Sequence, residues 1–162
     1  MNASAAPSFR LRSVASGDFE KLYRLDQVCF EPGVAYSRDE LRRFLSMSSC
    51  EGVVAEAELR VVGFAIGYLS RGKVAHVVTL DVDPGRRREG LGRDLLENLL
   101  ARFAGHRARR AHLEVSTENR GAIAFYEKLG FVRLGTIRDY YAPGAHAFEM
   151  EKILVPEGPA RR

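Results

Sequence analysis

From Val74 to Phe103 the chain changes its hydrophobic period in a single step. Val74 to Val82 is β-branched almost throughout and apolar enough to be covered on both faces, which predicts a strand at the centre of a sheet. Asp83-Pro84-Gly85 stops it, and from Leu91 the positions Leu95, Leu96, Leu99, Leu100 and Phe103 make one broad apolar stripe that ends near Gly105. A buried strand that leads directly into an amphipathic helix restricts the fold to a sheet with helices laid on it.

The remaining elements follow from the same two periods. Phe9, Leu11 and Ser13 alternate as a strand, and Phe19, Leu22, Leu25, Val28 and Cys29 recur at helical spacing up to Phe30. Glu31-Pro32-Gly33 breaks that helix. Ser37-Arg38-Asp39-Glu40 is a capping box that opens a second one through Leu41, Phe44 and Leu45. Gly52 to Ala57 and Leu59 to Ser70 predict an antiparallel hairpin, Ala111 to Val115 a strand, and Asn119 to Leu129 a helix closed by Gly130. Phe131 to Tyr141 and Ala147 to Val155 are expected as two final strands around Pro143-Gly144. The order β, α, α, β, β, β, α, β, α, β, β is that of an α/β (α+β) chain with a mixed sheet.

With 162 residues, 46% of them hydrophobic and 28% charged, one domain over residues 1–162 is the economical expectation. The polar ends, Met1 to Pro7 and Pro156 to Arg162, are expected to fray. The formal charge of +4 inclines the chain toward anionic ligands without specifying nucleic acid. Cys29 and Cys50 stand in no metal-ligand or CxxC pattern, and His76, His106, His112 and His146 show no HxxxH spacing, so no metal is expected. Cys29 falls on the apolar stripe of its helix, which favours a core role over a nucleophilic one. No apolar run approaches the roughly 20 residues of a membrane helix, and a reduced, cytoplasmic protein is the expectation.

Between strand and long helix lies Val82-Asp83-Pro84-Gly85-Arg86-Arg87-Arg88-Glu89-Gly90-Leu91-Gly92. The first amides of a helix lack internal acceptors, the helix dipole adds partial positive charge, and glycine lets the main chain approach a ligand. A pyrophosphate suits that place, with Arg87, Arg88 and Arg93 as countercharge. It is not a P-loop, because Arg93-Asp94 follows Gly92, nor a dinucleotide fingerprint, because Leu95 stands where a third small residue belongs.

What remains, Arg-x-x-Gly-x-Gly at Arg87, Gly90 and Gly92, resembles the acetyl-CoA signature of the GNAT superfamily of N-acetyltransferases. A second stretch, Asn119-x-x-Ala122-Ile123-x-x-Tyr126-Glu127-Lys128-Leu129-Gly130-Phe131, is similar to that superfamily's Asn/Tyr helix, and the element order from Phe9 to Leu154 agrees with it. The resemblance implies a mostly antiparallel sheet of about seven strands with helices on both faces. It also implies acetyl-CoA in a gap between splayed strands. Carried over, the coenzyme meets Leu80, Asp81 and Val82, then Arg87, Arg88, Glu89, Gly90, Leu91, Gly92 and Arg93 at the turn, and Asn119, Ala122 and Tyr126 from the other side. Phe30-Glu31-Pro32 with Tyr36-Ser37, Leu113-Glu114-Val115 and Asp139-Tyr140-Tyr141 look like the ribosomal-protein alanine N-acetyltransferase (RimI) branch, whose members acetylate the α-amine of a protein N-terminus. That branch implies Glu114 as general base, Tyr126 as general acid, and Tyr36, Tyr140 and Tyr141 at the peptide entrance.

The residue types suit the chemistry. An α-amine with a reference pKa of about 8 needs modest help from a carboxylate, and a phenol near 10 is protonated at neutral pH. No acyl-enzyme is required, so transfer is expected within a ternary complex. Against these roles stand plainer ones: Glu114 as a charged residue on the strand face it shares with His112 and Ser116, Tyr126 as the rim of an amphipathic helix, Tyr140 and Tyr141 as strand aromatics. The sequence departs from the branch at Pro143-Gly144-Ala145-His146-Ala147, where His146 replaces an expected acid, and at Arg86 and Arg88-Glu89 in the turn. Two other functions stay open. One is a transferase for small amines, polyamines or lysine side chains; the other is a non-catalytic RNA- or ribosome-binding module built on Arg107 to Arg110 and Arg86 to Arg88.

Overall fold

The computed structural model describes residues 8–155; the expectation that both ends fray falls on residues outside that range. Along the chain lie β1 (Arg10–Ser13), α1 (Phe19–Cys29), α2 (Arg38–Ser46), β2 (Cys50–Ala57), β3 (Arg60–Leu69), β4 (Val74–Val82), α3 (Leu91–Gly105), β5 (Arg110–Ser116), α4 (Arg120–Lys128), β6 (Val132–Ala142) and β7 (Ala145–Ile153). They form one seven-stranded sheet in the order β1-β2-β3-β4-β5-β7-β6. Every neighbouring pair is antiparallel except β4 and β5, which α3 connects in parallel.

The two faces carry separate cores. On one, Leu22 and Leu25 of α1 and Leu41 of α2 pack with Val54, Phe64 and Ile66. On the other, the α3 stripe and Ile123 of α4 pack with Val53, Ala65, Val77 and Leu113. Val28, read as part of the α1 stripe, instead faces solvent at 65% exposure. The Ser37 box caps α2 as expected: Glu40 N–H donates to Ser37 Oγ at 3.2 Å, and Ser37 N–H donates to Glu40 Oε2 at 2.8 Å. Close approach of α3 depends on Gly63, where a Cβ would lie 2.6 Å from Leu91 and 3.0 Å from the Asp81 carbonyl oxygen.

β4 holds the middle of the sheet, and cover alternates along it on both faces, with Ala75 and Val77 turned to the α3 side and, past Val78, Thr79 and Asp81 turned to the α1 side. Ala75, Val77, Thr79 and Asp81 are buried, whereas His76, Val78, Leu80 and Val82 remain half-buried. Two features cause this. The register with β3 skips Val78, since Ile66 pairs Thr79 and Gly67 pairs Val77, and this bulge re-aims the strand. Beyond His76, moreover, β5 no longer pairs with β4.

Candidate active site

The parallel ladder joins only Val74–His76 to Arg110–His112. Past that point β4 stays with β3 and β5 stays with β7, so the sheet forks. Asp83 N–H donates to the Val62 carbonyl at 2.9 Å. By the period of two in an antiparallel ladder, Leu80 and Val82 therefore turn their main-chain groups away from β3 and into the fork. Thr117 N–H donates to the His146 carbonyl at 3.1 Å, and the same argument turns the main chain of Glu114 and Ser116 toward the fork from β5. A cavity of about 640 Å³ occupies this place. Unpaired peptide groups on two opposed edges suit an extended, amide-bearing ligand.

At one end the cavity meets the start of α3. Gly90 caps that helix at φ 81°, and no side chain bonds to its first amides. Arg86, Arg87, Arg88 and Arg93 line the cavity with Gly90, Leu91 and Gly92. Arg87 Nε and Cys29 Sγ both donate to the Val82 carbonyl, each at 3.3 Å, so that oxygen is already engaged. Glu89 is absent from the lining; Arg86 Nε donates to it at 3.0 Å. Asn119 lines the cavity and its Oδ1 accepts from Ala122 N–H at 3.1 Å, which leaves its amide nitrogen for a ligand.

Further along stand the side chains expected to do chemistry. Glu114, Tyr126, Tyr36, Tyr140 and Tyr141 all line the same cavity, as do Leu80, Val82 and Ala122. Tyr126 is wedged edge-on against Phe125 and Phe131, with ring centroids 5.3 Å and 5.6 Å away. Burial, and secondarily the nearby Asp81, pushes its phenol above the ordinary range. Tyr36 O–H donates to the Val78 carbonyl at 3.1 Å, the peptide group released by the bulge, and burial raises that phenol too. Tyr140 and Tyr141 meet edge to face at 4.8 Å, and burial carries Tyr141 up to about 12. His146 acts on the hairpin between β6 and β7: Asp139, at φ 53°, donates its N–H to His146 Nδ1 at 2.9 Å.

Asp81, expected among the coenzyme contacts, is not brought to the cavity by its side chain. It is fully buried beside Asp26 of α1, and Thr79 O–H donates to its Oδ1 at 2.5 Å. Its neighbours Leu80 and Val82 turn their side chains to the opposite face, onto the α3 core, because strand side chains alternate. Asp26 Oδ1 and Asp81 Oδ2 are the buried side-chain polar atoms without a hydrogen-bond partner among the described residues. Desolvation raises both carboxyls, which suits a pair holding one proton between them.

Three participants escaped the sequence reading. Cys29 packs on the α1 core as expected but lines the cavity as well, and burial pushes its thiol up to about 11, which keeps it protonated and unreactive. His76 places Nε2 at 2.6 Å from Glu114 Oε2. Its Nδ1 lies 2.7 Å from the hydroxyl of Tyr68, the third. No local spacing signals that chain, because β3, β4 and β5 contribute one member each.

Residues 19–131 match the Acetyltransferase (GNAT) family. An N-alpha-acetyltransferase of Sulfurisphaera tokodaii is 27% identical over 94% of this chain and 97% of its own length. The ribosomal protein bS18 alanine N-acetyltransferase of Salmonella typhimurium is 40% identical over 60% of this chain, and the match spans 65% of that enzyme. An uncharacterized protein of Mycobacterium leprae is 41% identical over 57% of this chain, which spans 27% of that protein. The crystal structure of the ribosomal-protein-S18-alanine N-acetyltransferase from Escherichia coli aligns with a TM-score of 0.83 at 25% identity, covering 95% of this chain and 99% of that one. Among the described residues no helix is long and apolar enough to cross a membrane.

Proposed function

The chain belongs to the acetyltransferase (GNAT) family, and from that premise we propose that it transfers the acetyl group of acetyl-CoA to the α-amine of a protein N-terminus, of the ribosomal-protein-alanine type. One observation carries the reading: the fork between β4 and β5 is continuous with the start of α3, whose first amides no side chain engages, and is lined by Glu114, Tyr126 and the tyrosines Tyr36, Tyr140 and Tyr141. The pyrophosphate fits the α3 amides with Arg87, Arg88 and Arg93 around it, and the pantetheine arm fits the free peptide groups of Leu80 and Glu114 and the Asn119 amide.

In this arrangement Glu114 takes a proton from the amine, through one water, as nitrogen attacks the thioester carbonyl. Tyr126 gives its proton to the departing thiolate as the tetrahedral intermediate collapses, and its raised pKa keeps that proton in place at neutral pH. The nitrogen–carbon bond forms, the carbon–sulfur bond breaks, and no covalent enzyme intermediate intervenes. The aromatic entrance suits an extended peptide more than a free polyamine, whose several charges meet Tyr36, Tyr140 and Tyr141 rather than carboxylates. Arg107 to Arg110 and Arg86 to Arg88 lie at opposite ends of α3, roughly 20 Å apart by helical rise, so they form no continuous basic stripe for RNA.

The test is free-thiol release from acetyl-CoA with short peptides of different first residue. Glu114→Gln and Tyr126→Phe are each expected to lower kcat by about a hundredfold while coenzyme binding persists. Unchanged turnover in both removes the residue roles. Acetylation of free amines but of no peptide replaces the acceptor, and salt-sensitive RNA binding without coenzyme binding replaces the function altogether.

A further inference from the structure

The imidazole of His76 bridges the point where the sheet divides. His76 and His112 are the last paired residues of the β4/β5 ladder, and Glu114 is the next residue on the same face of β5, already past the split. Across this opening His76 Nε2 lies 2.6 Å from Glu114 Oε2, with the two side chains only 22% and 20% exposed. Behind it Tyr68 O–H sits 2.7 Å from Nδ1, and Phe44 of α2 stacks on the Tyr68 ring at 6.2 Å. Glu114 lines the cavity; His76 and Tyr68 do not. The three groups thus run inward from the reacting face, the charged one in front.

We infer that His76 is a positioning residue for the transfer, holding Glu114 by one carboxylate oxygen so that the other is presented to the water that relays the amine proton. The inference rests on the proposal that Glu114 takes the proton. With Glu114 ionised, Nε2 carries the hydrogen and donates to Oε2, and Nδ1 accepts from the Tyr68 hydroxyl, which fixes the tautomer. A glutamate side chain has several staggered conformations open to it in a half-exposed groove. One short charge-assisted hydrogen bond selects among them. The proton taken from the amine stays on the free oxygen of Glu114, and Nε2 remains a donor throughout.

The neighbouring ionisable groups leave this role to His76. His112 is engaged by Glu149 and Glu151 of β7, Glu149 stands opposite Glu114 across the β5/β7 ladder, and Tyr36, Tyr140 and Tyr141 face Glu114 as phenols.

The experiment compares kcat at neutral pH for peptide acetylation in the wild type, Glu114→Gln, His76→Leu, His76→Gln and Tyr68→Phe, with the acetyl-CoA KM alongside. His76→Leu is expected to lose about tenfold or more in kcat at unchanged acetyl-CoA KM. His76→Gln, whose amide nitrogen replaces the Nε2 donor, is expected within about threefold of wild type at neutral pH. Tyr68→Phe is expected to cost about threefold. If His76→Leu retains kcat within a factor of two, or His76→Gln loses as much kcat as His76→Leu, the inference is overturned. Should His76→Leu fail to fold, His76→Asn, whose shorter amide stops short of Glu114, takes its place in the comparison. Full activity in Glu114→Gln overturns the proton-acceptor reading itself, whereas a damaged Glu114→Gln beside normal His76 variants removes only the role of His76.

Discussion

At the scale of single residues, the Asp26–Asp81 pair sets a pH dependence of its own. Both carboxyls are raised by desolvation, and each has one buried oxygen with no hydrogen-bond partner among the described residues. In the unfolded chain they titrate near about 4. The folded chain therefore binds more protons than the unfolded one above that pH, and stability falls as pH rises from there toward the raised folded pKa. Asp81→Asn removes this loss: Asn Oδ1 keeps the Thr79 hydrogen bond, and its amide donates to Asp26. The variant is expected to match wild type in denaturant melts near pH 4 and to exceed it by about 1–3 kcal/mol near pH 8. A deficit at both pH values would mean that the pair is fully ionised and paired some other way. Tyr36 N–H donates to Asp26 Oδ2 at 2.7 Å, so the same pair anchors the segment that carries Tyr36 to the cavity.

Elements show which local choices conflict with the fold. The β2–β3 connection is a two-residue turn in which Glu58 and Leu59 both have positive φ, 50° and 66°, and Leu59 is 86% exposed. Such a turn favours Asn-Gly, and a branched side chain there costs about 1 kcal/mol or more. Replacing both, Glu58→Asn with Leu59→Gly, is expected to stabilise the chain by about 1–2 kcal/mol in thermal or denaturant melts without altering acetyl transfer, because the turn lies outside the cavity lining. A strand break was legible here as a polar gap, but the handedness of its backbone was not. The helices were more legible: the α2 capping box and the α3 stripe are local patterns, and both stand in the structure where spacing placed them. Val28 shows the limit, since helical spacing supplies an apolar stripe wider than the face that α1 buries.

For the whole molecule, the fork ties coenzyme binding to stability. A ligand laid between β4 and β5 bonds strands that otherwise share only the ladder Val74–His76 with Arg110–His112. Coenzyme A at about a hundred times its Kd is expected to add about 2.7 kcal/mol, a rise of roughly 5–10 °C in Tm. Part of that rise is expected to disappear as salt increases, because Arg88 and Arg93, the countercharge proposed for the phosphates, stand exposed at the rim. Differential scanning fluorimetry across a salt series checks both, and a Tm indifferent to coenzyme A would remove the fork as its site.

The sequence alone determined the periods of strand and helix, the glycine-opened start of α3 and the two ordered motifs, because each depends on residues within a few positions of one another. Tertiary structure decided what crosses the fork. His76 and Glu114 lie 38 residues apart, and Cys29 and Val82 lie 53 apart. Whether they meet depends on the register of β4 against β5 across a helical connection and on a bulge at Val78 that turns the strand. Register is a property of paired strands, set by how two cores pack against opposite faces of one sheet. A residue's neighbours along the chain carry no record of it, and so Asp81 went into the interior and His76 came to Glu114.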